Sequence, residues 1–125
     1  MLEAYSTNVT VATNDAVPFN NVTVVKGQTA VLSAPATVQL NKCGVYMISV
    51  DASASAVSSI GLYKNGTLAP QAQATGTHPS FVTLVQVTEN NTCCPCTMPT
   101  VLQVKNIGTA SATLTNANIV VTKVC

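Results

Sequence analysis

Charge is scarce in this sequence. Only 7% of its 125 residues are Asp, Glu, Lys or Arg, against about 25% in a typical soluble domain. The net charge is +1, and no basic run or basic helix face exists. That leaves no electrostatic footprint for nucleic acid or an anionic membrane. No apolar run is long enough to span a bilayer. The opening MLEAYSTNVT lacks a basic stretch followed by an apolar one, so no secretory signal is read there. Histidine occurs once, as His78 in the loop-like GTHPS, and one such residue supports no Ser-His-Asp or Cys-His arrangement. The acids Glu3, Asp15, Asp51 and Glu89 are scattered, with no spacing that suits glycoside hydrolysis or a calcium loop. No phosphate-binding glycine loop appears. Outside the cysteines, the sequence therefore offers no catalytic, cofactor-binding or metal-binding set.

What remains is an uncharged β-former's vocabulary. Hydrophobic residues make up 47%, and a chain of this size buries roughly two-thirds of its unfolded surface as one domain. A lone monomer with so few charges would have a sticky surface. The surface is therefore expected to be covered by other subunits or a larger assembly. Glu, Lys and Arg are scarce and no helical stripe is sustained. Short β-branched runs are instead broken by Gly, Pro and Asn. Strands are expected near 8–12, 16–19, 22–25, 29–32, 36–40, 44–53, 59–64, 67–70, 81–89, 100–106, 112–115 and 117–124. Asn65-Gly66, between Tyr63-Lys64 and Thr67-Leu68, is the sharpest turn signal and predicts a type I′ hairpin. Many short strands with regular turns argue an all-β sandwich or barrel.

Two strands carry a mixed second face. Tyr46, Ile48, Val50 and Ala52 alternate with Val45, Met47, Ser49 and Asp51. Phe81, Thr83, Val85 and Val87 alternate with Val82, Leu84, Gln86 and Thr88. A sheet with one apolar face and one small, uncharged, half-apolar face suits a subunit interface. Val45, Met47, Ser49, Asp51, Leu84 and Gln86 are its candidates. The alternative is an ordinary sandwich with a Ser/Thr-rich surface.

The stretch AVPFNNVTVVKGQTAVLSAPATVQLNKCGVYMISVDASA resembles the opening half of the tumour-necrosis-factor/complement-like jelly rolls of bacteria and phages. It is most similar to the tip domain of collagen-like spore-surface glycoproteins. The matching marks are Val17-Pro18-Phe19, then Gly44-Val45-Tyr46 opening a long strand, then the Leu62 to Pro70 hairpin, then a closing strand from Asn118 to Val124. The resemblance covers about residues 15 to 124. It implies a two-sheet antiparallel jelly-roll sandwich that forms a tight homotrimer. The sheet holding the first, long middle and last strands would surround the threefold axis, and Asp51 would lie near that axis. Residues 1–14 would be an N-terminal arm and 15–125 the jelly-roll domain. The chain departs from the spore-surface pattern in having no Gly-X-Y stalk and an added TCCPC loop. Stand-alone domains of this kind resemble head-fibre and decoration proteins of phage capsids.

Three of the five cysteines crowd into that loop as Cys93, Cys94 and Cys96. They lack the paired C-x2-C layout of structural zinc. Cys93 and Cys96 form a C-x-x-C pair with no helix to activate it, which argues against redox catalysis. The resemblance implies that the strand after Cys43 runs antiparallel between the last strand and the one ending near Glu89. Cys43, Cys93, Cys94, Cys96 and Cys125 would then gather at one end of the barrel. Two disulfides with one thiol left over are the first expectation, while free thiols and zinc stay open.

These readings converge on a non-enzymatic surface protein without a cofactor. Its first assignment is a phage capsid decoration or head-fibre homotrimer on the virion exterior. It would dock to a major capsid protein or other virion component through the arm, with a host surface glycan as a further partner. The tip domain of a bacterial spore or cell-surface protein is the alternative. A carbohydrate-binding adhesion module is the third class. Against it stand the absence of Trp and the few aromatics, Tyr5, Tyr46, Tyr63, Phe19 and Phe81, with Tyr46 and Phe81 expected in the core. Asn8-Val-Thr, Asn21-Val-Thr, Asn65-Gly-Thr and Asn90-Asn-Thr match glycosylation acceptors, a chance outcome in so Asn/Thr-rich a chain.

Overall fold

The computed structural model describes residues 1–27, 30–34, 36–87 and 100–124. These form ten strands: β1 Leu2–Val11, β2 Asn21–Val25, β3 Ala30–Ala34, β4 Thr37–Leu40, β5 Gly44–Ala54, β6 Ser58–Lys64, β7 Thr67–Gly76, β8 Ser80–Val87, β9 Thr100–Asn106 and β10 Ala112–Lys123. They pair into two antiparallel five-stranded sheets. Sheet I has the order β2-β1-β10-β5-β8 and sheet II the order β3-β4-β9-β6-β7. The first, long middle and last strands share sheet I, and β5 runs between β10 and β8.

Period-two alternation builds the interior. On β5, Tyr46, Ile48, Val50 and Ala52 are buried. On β9, Leu102 and Val104 are buried while Val101, Gln103 and Lys105 alternate outward. Leu40, Ile60, Leu62, Leu114 and Ile119 complete a single core between the sheets. Tyr46 is fully buried, and its hydroxyl donates to the Lys42 carbonyl at 2.7 Å, which satisfies the one polar atom it brings inside. Phe81 is half-buried and packs against the same core.

The expected Asn65-Gly66 turn is present. Lys64 pairs with Thr67, leaving a two-residue loop, and both residues take positive φ, 51° and 85°. That is the backbone a type I′ turn demands. Asn65 also ties the turn to β9. Its backbone N–H donates to Val101 C=O at 2.8 Å, and its Oδ1 accepts from Val101 N–H at 2.9 Å.

Several expected boundaries are corrected. Residues 2–11 are not an arm. They form β1, paired on both sides, with Leu2, Ala4, Ser6 and Val11 buried, so the division at 14/15 does not exist in the fold. Residues 16–19 form no strand. Only an Ala16–Lys105 bridge occurs there, while Val17 and Phe19 plug the core and Pro18 C=O accepts from the Ser6 hydroxyl at 2.7 Å. The strands expected at 112–115 and 117–124 are one. β10 bulges against β5 between Leu114 and Asn116, which moves the buried set from Ala112 and Leu114 to Ala117, Ile119 and Val121. A one-residue insertion reverses the facing of all that follows. Opposite the bulge, Asn8 takes a left-handed φ of 55° and makes the same switch on β1. β7 continues past Pro70 to Gly76 because it is an edge strand, where a missing N–H costs no ladder bond.

Candidate subunit interface

The antiparallel registers set the outward residues of sheet I into rows. One row runs Tyr5, Asn118, Asp51, Ser80. The next runs Glu3, Val120, Ser49, Val82, and the third Thr122, Met47, Leu84. A fourth pairs Val45 with Gln86, and Val124 joins it through its N–H to Val45 C=O at 2.8 Å. All six interface candidates therefore lie on one face. Met47 is 38% exposed, and Leu84, directly opposite it, is 59% exposed. Val82, at 63%, sits one row away. Val45 and Ser49 are half-buried, and Asp51 and Gln86 are exposed.

Of the large apolar side chains left exposed among the described residues, all but Val57 belong to sheet I or to the residues that extend its ladders. The charges within the four rows are Glu3 and Asp51. Glu3 accepts a hydrogen bond from Thr23 Oγ1 at 2.8 Å. Among the described residues no side chain hydrogen-bonds the Asp51 carboxylate; its cross-strand neighbours are Asn118 and Ser80. Val82 shares Leu84's alternation and was open to sequence reading. Tyr5, Val120 and Thr122 join the patch only through strand pairing, which the residues themselves do not announce.

Cys43 immediately precedes β5, is 5% exposed and is disulfide-bonded. Gly44 pairs with Val87, and Val124 bonds to Val45, so β8 and β10 both end beside Cys43. Cys93, Cys94, Cys96 and Cys125 lie outside the described residues, as does the TCCPC loop. Among the described residues no three His, Cys, Asp or Glu side chains come together as a metal-ligand set. His78 is exposed, with Nδ1 3.3 Å from Thr77 Oγ1.

A second feature was not foreseen. The β9–β10 turn and the start of β6 enclose an open cleft of about 230 Å³. Asn106 forms its floor. This side chain is 1% exposed, and its Nδ2 donates to Val11 C=O at 3.0 Å and Ala110 C=O at 2.9 Å, while Oδ1 accepts from Gly108 N–H at 2.9 Å. A Cβ on Gly108 would come within 3.2 Å of that oxygen. The polar hub is hard to see in sequence, because a lone Asn at a strand end reads as a turn residue.

No family model matches the chain, and no curated protein matches it. Among solved structures, rabbit GITRL, a ligand of the tumour-necrosis-factor family, superposes with a TM-score of 0.60 at 8% identity, covering 100% of this chain and 95% of that one. CBM35 from Paenibacillus barcinonensis gives a TM-score of 0.45 at 16% identity, with 98% of each chain covered. The described residues form ten strands in two antiparallel sheets, and the chain has the tumour-necrosis-factor-like jelly-roll fold.

Proposed function

We propose that this chain is a non-enzymatic structural surface protein that assembles as a homotrimer through the outward face of sheet I. Its place in that reading is the exterior of a phage virion, as a decoration or head-fibre protein. The observation that carries the reading is the apolar patch around Met47, Val82, Leu84 and Val120, set in a face with so little charge. Interface centres lose charged residues and gain apolar ones, and a monomer exposing such a patch would associate without control. Threefold stoichiometry is supported by the resemblance to trimeric jelly rolls. It also suits capsids, which offer threefold and quasi-threefold positions.

In this mechanism, burial of the sheet I faces fixes the trimer, and the connections at the sandwich ends are displayed outward. A major capsid protein or another virion component is the docking partner. Since residues 2–11 are built into sheet I, docking has to use the ends or flanks of the assembled trimer. Sedimentation equilibrium tests the assembly, with a species three times the chain mass expected. Immunogold electron microscopy with antibody to the purified protein tests the location. Labelled particle exteriors support it, and label confined to cells or spores without particles overturns it.

A further inference from the structure

We infer that the cleft between the β9–β10 turn and the start of β6 is a binding site for a neutral sugar unit of a glycan. Among the described residues none that lines the cleft is charged, so it offers no counter-charge to an ionic ligand. The lining is instead rich in hydroxyls, from Ser58, Ser59, Thr109 and Ser111. Each hydroxyl donates once and accepts twice, the pattern that matches the neighbouring hydroxyls of a sugar ring. Val57, 71% exposed at the rim, offers an apolar surface for the C–H face of that ring.

The nearby backbone argues against a peptide. Ile107 N–H donates to Ser59 C=O at 3.0 Å, and Asn106 takes up Gly108 N–H and Ala110 C=O. A peptide strand would need such main-chain groups unpaired. Beside the main chain of the exposed turn, the cleft offers side-chain oxygen. Ser58 Oγ is engaged with Ala56 C=O at 3.0 Å, and Ser59 Oγ shares a 2.7 Å hydrogen bond with Thr75 Oγ1 while keeping lone-pair capacity. Thr109 and Ser111 are exposed on the turn. Asn106 ties that turn to β1 through Val11 C=O, Gly108 N–H and Ala110 C=O, so the backbone carrying the hydroxyls is fixed before a ligand arrives, which lowers the entropic cost of binding. One sugar unit in so small a cleft makes few contacts, so binding of roughly millimolar strength is expected. Several copies on one particle would raise the avidity.

The test is a two-dimensional amide NMR titration of the whole assembled protein. The methyl glycosides of glucose, galactose, mannose and N-acetylglucosamine are the probes, added singly, with glucuronate as a charged comparison. Saturable shifts in the millimolar range are expected, confined to amides of residues 57–59 and 106–111, for at least one neutral glycoside. Thr109→Val and Ser111→Ala, both on the exposed turn, should each weaken that response several-fold without changing the rest of the spectrum. No shift with any neutral glycoside, shifts centred elsewhere, or a stronger response to glucuronate would each overturn the inference. None of these outcomes depends on the oligomeric state.

Discussion

The two sheets are built by one rule on the inside and by different rules on the outside. Sheet I turns Met47, Val82, Leu84, Val120 and Tyr5 outward, with Asp51 and Glu3 as the charges in those rows. Sheet II turns Gln39, Gln73, Thr75, Gln103 and Lys105 outward, with the half-buried Val31, Leu68 and Val101 among them. Its one outward aromatic, Tyr63, has the Lys105 ammonium 4.7 Å from the ring centroid, and Gln103 Nε2 donates to Thr37 Oγ1 at 3.3 Å. Sheet II is furnished for water. Sheet I leaves large apolar side chains uncovered, and in the proposed assembly another copy's face covers them. Inward alternation decides that the chain folds. The outward alternation, which folding leaves free, is where a role is written.

The largest break in this comparison is a charge in the sheet I patch. Leu84→Asp would bury an uncompensated carboxylate at each interface, at a cost of about 3–5 kcal/mol, and should leave monomers in light-scattering chromatography. Gln73→Asp, the matched change on sheet II, should leave the assembly mass unchanged. Next come the inward faces, where the sheets should not differ. Ile48→Ala in sheet I and Leu102→Ala in sheet II, both fully buried, should each lower unfolding free energy by about 2–5 kcal/mol in urea titrations. A much smaller effect on one sheet would show that the core is not shared.

A smaller asymmetry is covalent. The Cys43 disulfide anchors the start of β5 in sheet I. Reduction, or Cys43→Ser, should cost about 2–4 kcal/mol, read as a lower urea midpoint. The smallest effect belongs to sheet II. Lys105→Met removes the cation over Tyr63 and should cost about 0.5–1 kcal/mol, with assembly intact.

How much of this was legible depended on whether a feature is local. The Asn65-Gly66 turn needed only its own two residues and came out as expected. The alternation of Tyr46, Ile48, Val50 and Ala52 is local too, and it placed Met47 and Asp51 on the outward face. The β10 bulge was not legible, because Asn116 looks like a strand break until β5 pairs across it. β1 was read too short, and its first residues as an arm, because its inward residues include Ala4 and Ser6. These show as core only once the Ser6 hydroxyl is seen to hold Pro18 C=O. Val17 and Phe19 were rightly apolar but wrongly a strand, since burial does not require a ladder. The cleft around Asn106 joins β1, β6 and the β9–β10 turn, segments far apart in the chain, so no single stretch of sequence carried it. Cysteine connectivity is likewise a matter of topology, and Cys43 alone of the five lies within the described residues.

The central claim is that the outward face of sheet I closes a homotrimer. Native mass spectrometry of the purified protein under non-reducing conditions tests it most directly. The account predicts a dominant ion series at three times the chain mass, each chain lighter by two hydrogens for every disulfide it holds. A series at the mass of a single chain, persisting as protein concentration is raised, would contradict it.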